Sequence, residues 1–155
     1  MSTAVAPALA PAPLREEGLR FWEKFIDECK KQTEAINRVL SEHGRSAADF
    51  IECRAGQHLH LIRSRFPSTI AKVTISFERW GPVLNVVVTG HQRPEFEFHP
   101  EEYEMPLAKD VDGSVVAVFD EGRSLSPREV ACILMQSFRR CFPRIPLPCP
   151  EFSAS

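Results

Sequence analysis

Residues Ile70 to Thr89 read IAKVTISFERWGPVLNVVVT, and this stretch indicates that the fold contains an antiparallel sheet. Apolar and polar residues alternate through its first half, where Ala71, Val73, Ile75 and Phe77 occupy every second position. A period of two is typical of a β-strand with one buried face and one exposed face. The Trp-Gly-Pro turn and the apolar run after it predict a second strand that returns antiparallel to the first.

Turn signals separate further short apolar segments on both sides of this pair. Asp112-Gly113 is the strongest tight-hairpin dipeptide in the chain. Short links favour antiparallel pairing between strands that follow each other in sequence. We therefore predict a β-meander of five or six strands, over Phe50–Arg54, Gln57–Ser64, Ile70–Arg79, Val83–Thr89, Glu95–Met105 and Ser114–Phe119.

Two amphipathic helices are predicted to enclose the strands. The first covers about Arg15–His43, with apolar residues at alternating steps of four and three, and Gly44 is placed to end it. The second begins at Ser126, where Ser, Pro127 and Glu129 have the spacing of a capping box. One strand face is consistently apolar, so both helices are expected to cover that face.

The predicted fold class is therefore α+β, a two-layer sandwich with both helices on one face of the sheet. We assign residues 15–142 to a single domain. Residues 1–14 contain only Ala, Pro, Ser, Thr, Val, Leu and Met, and are predicted to form a flexible arm. Residues 143–155 follow the last helix as a Pro-rich tail.

Composition excludes several classes of protein. The net charge is −2, so no global field attracts nucleic acid or an anionic membrane, and we predict neither as a partner. No apolar run approaches the roughly 20 residues that a membrane helix needs. The five cysteines form no CxxC pair, and four of them, Cys29, Cys53, Cys132 and Cys141, fall at predicted core positions. We predict reduced thiols and a cytoplasmic location.

Charge is distributed unevenly along the chain. Pro94 to Glu121 contains nine acidic residues and one basic residue, whereas Ala47 to Arg93 contains six basic and three acidic residues. Such a division is compatible with two solvated rims of different charge. It also fits a self-complementary surface that sets the register of a dimer.

The sheet face opposite the helices is predicted to be open and weakly charged. Small polar and β-branched side chains lie at its centre, and we name Thr74, Ser76, Asn85 and Val87 as candidate interface residues. A solvated antiparallel face is normal and needs no function. The leading functional hypothesis is nevertheless a small non-catalytic interaction or assembly protein that associates with itself as a homodimer.

Histidines on the same open face offer a second hypothesis. His58 and His60 are separated by one residue, so their imidazoles share a strand face, and Glu97 and His99 repeat this spacing on a later strand. Together they could bind a small ligand or metal, in a binding protein or an enzyme. In a simple meander, however, the second and fifth strands are not neighbours.

Motifs for catalysis are absent from the sequence. It contains no G-x-S-x-G, no P-loop and no G-x-G-x-x-G, so we assign no catalytic residue, no metal-ligand set and no cofactor. The segment Arg144-Ile145-Pro146-Leu147-Pro148 resembles a generic proline-rich ligand. An adaptor that binds a protein partner through this tail is the third hypothesis.

Overall fold

An antiparallel sheet and two helices form the chain in the computed structural model, which describes residues 12–65, 68–78, 82–90, 101–120, 122–139, 142 and 144–148. The strands lie in the sheet in the same order as in the sequence, which confirms the predicted α+β meander. The elements are α1 (Ala12–Glu42), a 3-10 helix (Ala47–Asp49), β1 (Ile51–Ala55), β2 (Leu59–Arg65), β3 (Ser68–Glu78), β4 (Val83–Gly90), β5 (Glu101–Lys109), β6 (Val115–Phe119), β7 (Arg123–Leu125) and α2 (Pro127–Arg139).

Seven strands occur within the described residues, so the predicted number of five or six was too low. The additional strand, β7, is only three residues long and pairs with β6 through Ala117↔Leu125 and Phe119↔Arg123. The turn before it includes Asp120 and Gly122 with φ of 28° and 80°. Three residues are too few to display alternation, which is why the pattern of the sequence does not reveal this strand.

The predicted fifth strand needs a different range. Its described part begins at Glu101 and continues beyond Met105 to Lys109. The rest of the predicted range, residues 95–100, lies outside the described residues.

Gly44 follows the end of α1, as predicted. Its φ of +78° is a left-handed conformation that takes the chain out of the helix and that glycine, without a Cβ atom, adopts readily. The Arg45 amide donates to the Leu40 carbonyl at 2.9 Å, and the Gly44 amide donates to the Ser41 carbonyl at 3.0 Å. These two hydrogen bonds form a Schellman motif and satisfy carbonyls at the helix end. The chain then turns toward Asp49 and β1.

The capping box at the start of α2 is also confirmed. The Glu129 amide donates to Ser126 Oγ at 3.2 Å, and the Ser126 amide donates to Glu129 Oε1 at 2.9 Å. The exchange satisfies two backbone donors that the first turn leaves without helical partners. It fixes the start of α2 immediately after β7.

The core lies between the helices and the apolar face of the sheet. Phe25, Ile36 and Leu40 of α1 are fully buried, as are Val130 and Phe138 of α2. The sheet residues that complete this core alternate along their strands, and they include Leu59, Leu61, Ala71, Val73, Ile75, Leu84, Val86, Val88, Met105 and Leu107.

The segment after α2 contributes to the same core. Phe142, Ile145 and Leu147 are buried, whereas Arg144, Pro146 and Pro148 are exposed. The predicted Pro-rich tail, residues 143–155, therefore includes two side chains that pack against the domain.

The side chain of Asn37 in α1 bonds to the backbone of the edge strand β1 at Ile51. Its side-chain amide donates to the Ile51 carbonyl at 2.9 Å, and its Oδ1 accepts from the Ile51 amide at 2.8 Å. The carboxamide thereby makes the two hydrogen bonds that a neighbouring strand would make. It joins α1 to β1, the first strand of the sheet.

Candidate functional site

The four predicted interface residues form one patch on the open face of the sheet. Thr74 is the register partner of Val87, and Ser76 is the register partner of Asn85, so the four lie together on β3 and β4. All four are half-buried. The helices and the core occupy the opposite face. We call these four residues the central patch.

Two rows of side chains run through the central patch across the strands. One row is continuous over five strands, from Arg54 through His60, Thr74 and Val87 to Glu102. The other contains Ser76, Asn85 and Glu104. His58 lies one residue before the pair Leu59↔Ile75, so continuing the antiparallel register places His58 at the level of Ser76.

The two rows change in character from one side of the sheet to the other. Histidines on β2 and just before it stand on one side of the central patch, with Arg54 and Lys72 near them. Glu102 and Glu104 stand on the other side, on β5, and both are exposed. The charge asymmetry in the sequence therefore reappears on the open face itself.

Two further carboxylates on this face are engaged locally. Glu52 Oε2 lies 2.9 Å from Arg54 Nη2 in an exposed ion pair. Glu78 Oε1 accepts a hydrogen bond from Asn85 Nδ2 at 3.2 Å. Neither Glu52 nor Glu78 lies on β5, so the negative charge on the β5 side of the central patch comes from Glu102 and Glu104.

His60 is the more enclosed of the two histidines. Its Nδ1 lies 3.1 Å from Thr74 Oγ1, and its ring centre lies 6.3 Å from that of His58, at an interplanar angle of 87°. Burial lowers the pKa of His60 below its ordinary value, and the positive charges of Lys72, His58 and Arg54 lower this pKa further. All these effects favour the neutral imidazole near pH 7.

The structure describes only two of the four residues in the predicted ligand site. The structure brings His58 and His60 together, whereas Glu97 and His99 lie outside the described residues. Among the residues that are described, no three His, Cys, Asp or Glu side chains form a group that could hold a metal ion. The ligand hypothesis therefore stays a prediction.

A buried ion pair escaped the sequence analysis. Arg63 lies on the core face, with its side chain 6% exposed, and its Nη2 is 3.3 Å from Asp49 Oδ1. Its guanidinium carbon lies 4.4 Å from the ring centre of Phe142. Arg45 Nη1 also approaches Asp49 Oδ2, at 3.5 Å. The signal was available, because Arg63 continues the alternation that buries Leu59 and Leu61.

This cluster connects segments that are distant in sequence. Asp49 belongs to the 3-10 helix, Arg63 to β2, and Phe142 to the segment after α2. Among the described residues the buried Nε atom of Arg63 has no hydrogen-bond partner. The contact between the Arg63 guanidinium and the Phe142 ring joins the segment after α2 to the sheet.

Within the described part of the chain, neither helix combines the length and the apolar character needed to cross a membrane. No protein-family model, curated protein or solved structure matches this chain.

Proposed function

We propose that this protein is a non-catalytic assembly protein that forms a homodimer through the open face of its sheet. The observation that carries the proposal is the central patch, where Thr74, Ser76, Asn85 and Val87 lie side by side. Interface cores are depleted of charged residues relative to the rest of the surface. The central patch has this composition, and charged residues lie on both sides of it.

The dimensions of the sheet are compatible with a stable interface. Seven strands spaced about 4.8 Å apart span roughly 30 Å, and their mean length of about seven residues corresponds to roughly 23 Å. The projected area is about 700 Å², before the relief of the side chains increases it. Stable complexes bury about 800 Å² on each partner. A second copy stacked on the sheet would therefore cover an area of the required order.

A single charged side chain at the centre of the patch tests the proposal. We expect sedimentation equilibrium at tens of micromolar to give twice the mass of the 17.5 kDa chain. Val87→Asp should give a monomer, because its carboxylate would be buried without a counter-ion, directly opposite the like charge of Glu102. Val111→Asp is the matched control, since Val111 is fully exposed and lies outside the central patch. Wild-type protein that is strictly monomeric under these conditions would refute the proposal.

The adaptor hypothesis for the tail has less support. A groove that binds a proline-rich segment takes up its apolar side chains. In this chain Ile145 and Leu147 are 8% and 7% exposed and belong to the core. The tail would have to leave the domain before it could present them to a partner.

A cytoplasmic location is part of the proposal. Within the described part of the chain Cys29, Cys53 and Cys132 form no disulfide, and cysteines stay reduced in reducing compartments. Burial raises the pKa of Cys53, which keeps this thiol protonated and unreactive. None of the three is needed for the assembly that we propose.

A further inference from the structure

The charged sides of the open face distinguish between two possible arrangements of a symmetric dimer. Two stacked sheets keep their strand directions within about 30° of each other. A two-fold axis between them can therefore run along the strands or across them. An axis across the strands places each strand over its own copy, so histidines face histidines and glutamates face glutamates.

An axis along the strands, between β3 and β4, gives the opposite result. It exchanges β3 with β4 and β2 with β5, while each row of side chains stays at its own level. Thr74 then faces Val87 of the second copy, and Ser76 faces Asn85 of the second copy. In the same rows, His60 faces Glu102 of the second copy, and His58 faces Glu104 of the second copy.

We infer that two copies of the chain associate about an axis parallel to the strands, so that His60 and His58 of each copy bind Glu102 and Glu104 of the other. This inference rests on the proposed homodimer and specifies its geometry. Symmetry repeats the contacts, which gives four histidine–carboxylate pairs around the uncharged central patch. His60 reaches across with Nε2, since its Nδ1 contacts Thr74.

The pairing couples association to protonation. Within one copy, His60 is near Arg54 of β1, Lys72 of β3 and the ring of His58, and these positive neighbours oppose its charging. In the dimer, the carboxylate of Glu102 of the second copy is added to these neighbours. A carboxylate partner raises the pKa of an imidazole. His60 therefore binds a proton more tightly in the dimer than in the free chain.

The sign of the pH dependence follows from this difference. The histidine–carboxylate contacts stabilise the dimer fully at a pH below the histidine pKa of the free chain. This stabilisation of the dimer is lost as the pH rises through the raised histidine pKa of the dimer. The pKa of His60 in the free chain lies below the ordinary histidine value of about 6.5, and glutamate keeps its charge down to about 4.3. Association should therefore strengthen when the pH falls from about 7.5 to about 5.5.

Sedimentation equilibrium at these two pH values tests the inference. We expect the dissociation constant of the wild type to be roughly tenfold lower at the acidic pH, the effect of four partly exposed ion pairs of modest strength. The double variant His58→Asn/His60→Asn should still dimerise at about pH 7.5 but change less than about twofold between the two pH values. Glu102→Gln/Glu104→Gln removes the carboxylates that the histidines would contact, so its dissociation constant should also change little between the two pH values. His43→Asn, at the exposed end of α1, is the control and should keep the full effect.

The outcomes separate this inference from the proposed function. A wild-type dimer with the same affinity at both pH values, or histidine variants that keep the tenfold change, would overturn the pairing and leave the homodimer intact. A wild type that is monomeric at both pH values would overturn both. Combining His58→Glu/His60→Glu with Glu102→Lys/Glu104→Lys in one chain gives a further check, because the inferred axis places each new glutamate opposite a new lysine, whereas the axis across the strands places like charges opposite each other. Failure of the folded four-site variant to dimerise would also overturn the pairing.

Discussion

Replacing Asp49 with alanine would leave the Arg63 guanidinium buried without its carboxylate. Arg63 has a side chain only 6% exposed, and Asp49 Oδ1 is its ionic partner at 3.3 Å. Removing one member of a buried pair costs about 3–5 kcal/mol. The 3.3 Å distance is long for a charge-assisted hydrogen bond, and the Phe142 ring still faces the guanidinium, so we expect Asp49→Ala to lower the free energy of unfolding by about 3 kcal/mol.

The reciprocal substitution should cost much less. Arg63→Met removes the charge together with the Nε atom that has no partner among the described residues, and the methionine side chain retains apolar contact with Phe142. Asp49 keeps Arg45 as a partner at 3.5 Å. We expect a loss of about 1 kcal/mol for Arg63→Met, and about the same for the double variant, because Asp49 has no buried charge left to compensate.

Urea unfolding, followed by circular dichroism and tryptophan fluorescence, measures these differences when the m-value stays constant. Asp27→Ala, at an exposed position of α1, is the control and should change the stability by less than about 0.5 kcal/mol. If Asp49→Ala cost less than about 1 kcal/mol, or if the two losses simply added in the double variant, the reasoning about a buried and coupled pair would be refuted.

Two further substitutions test how the helices are attached. Gly18→Leu should lower the free energy of unfolding by about 1–3 kcal/mol, because even a Cβ at Gly18 would lie 3.2 Å from the Cβ of Pro82. Arg20→Leu, at an exposed position of the same helix, is the control and should change this free energy little. Ser126→Ala should lower the free energy of unfolding by about 1 kcal/mol through loss of the capping hydrogen bond, as measured with denaturant. Glu129→Gln keeps the acceptor oxygen and should change the stability little, so equal losses for the two variants would contradict the reciprocal cap.

Much of the fold could be predicted from local patterns. Alternation in β3 and β4 identified the apolar face, and Ser126 with Glu129 identified the start of α2. These features depend on backbone geometry that repeats every two or 3.6 residues, so a single chain displays them. β7 was missed because three residues, Arg123–Leu125, contain too little of such a pattern.

The candidate site could be predicted only in part. The sequence placed Thr74, Ser76, Asn85 and Val87 on one face, and the register places them beside one another. The buried position of Arg63 was not predicted, because charged residues are seldom buried unless they are paired, and the sequence does not display the pair. Its partner Asp49 is 14 residues away in sequence, and the β1–β2 hairpin brings the two together by placing Arg63 opposite Ile51.

The Asn37 carboxamide has a consequence for how the protein resists aggregation. A strand at the end of a sheet can recruit a strand from another molecule and begin a growing fibril. At Ile51 both backbone groups that such a strand would use are bonded to Asn37, so an incoming chain must first displace a side chain anchored in a helix. Association by stacking leaves this protection in place and ends at two copies, whereas association by strand addition would have no natural end.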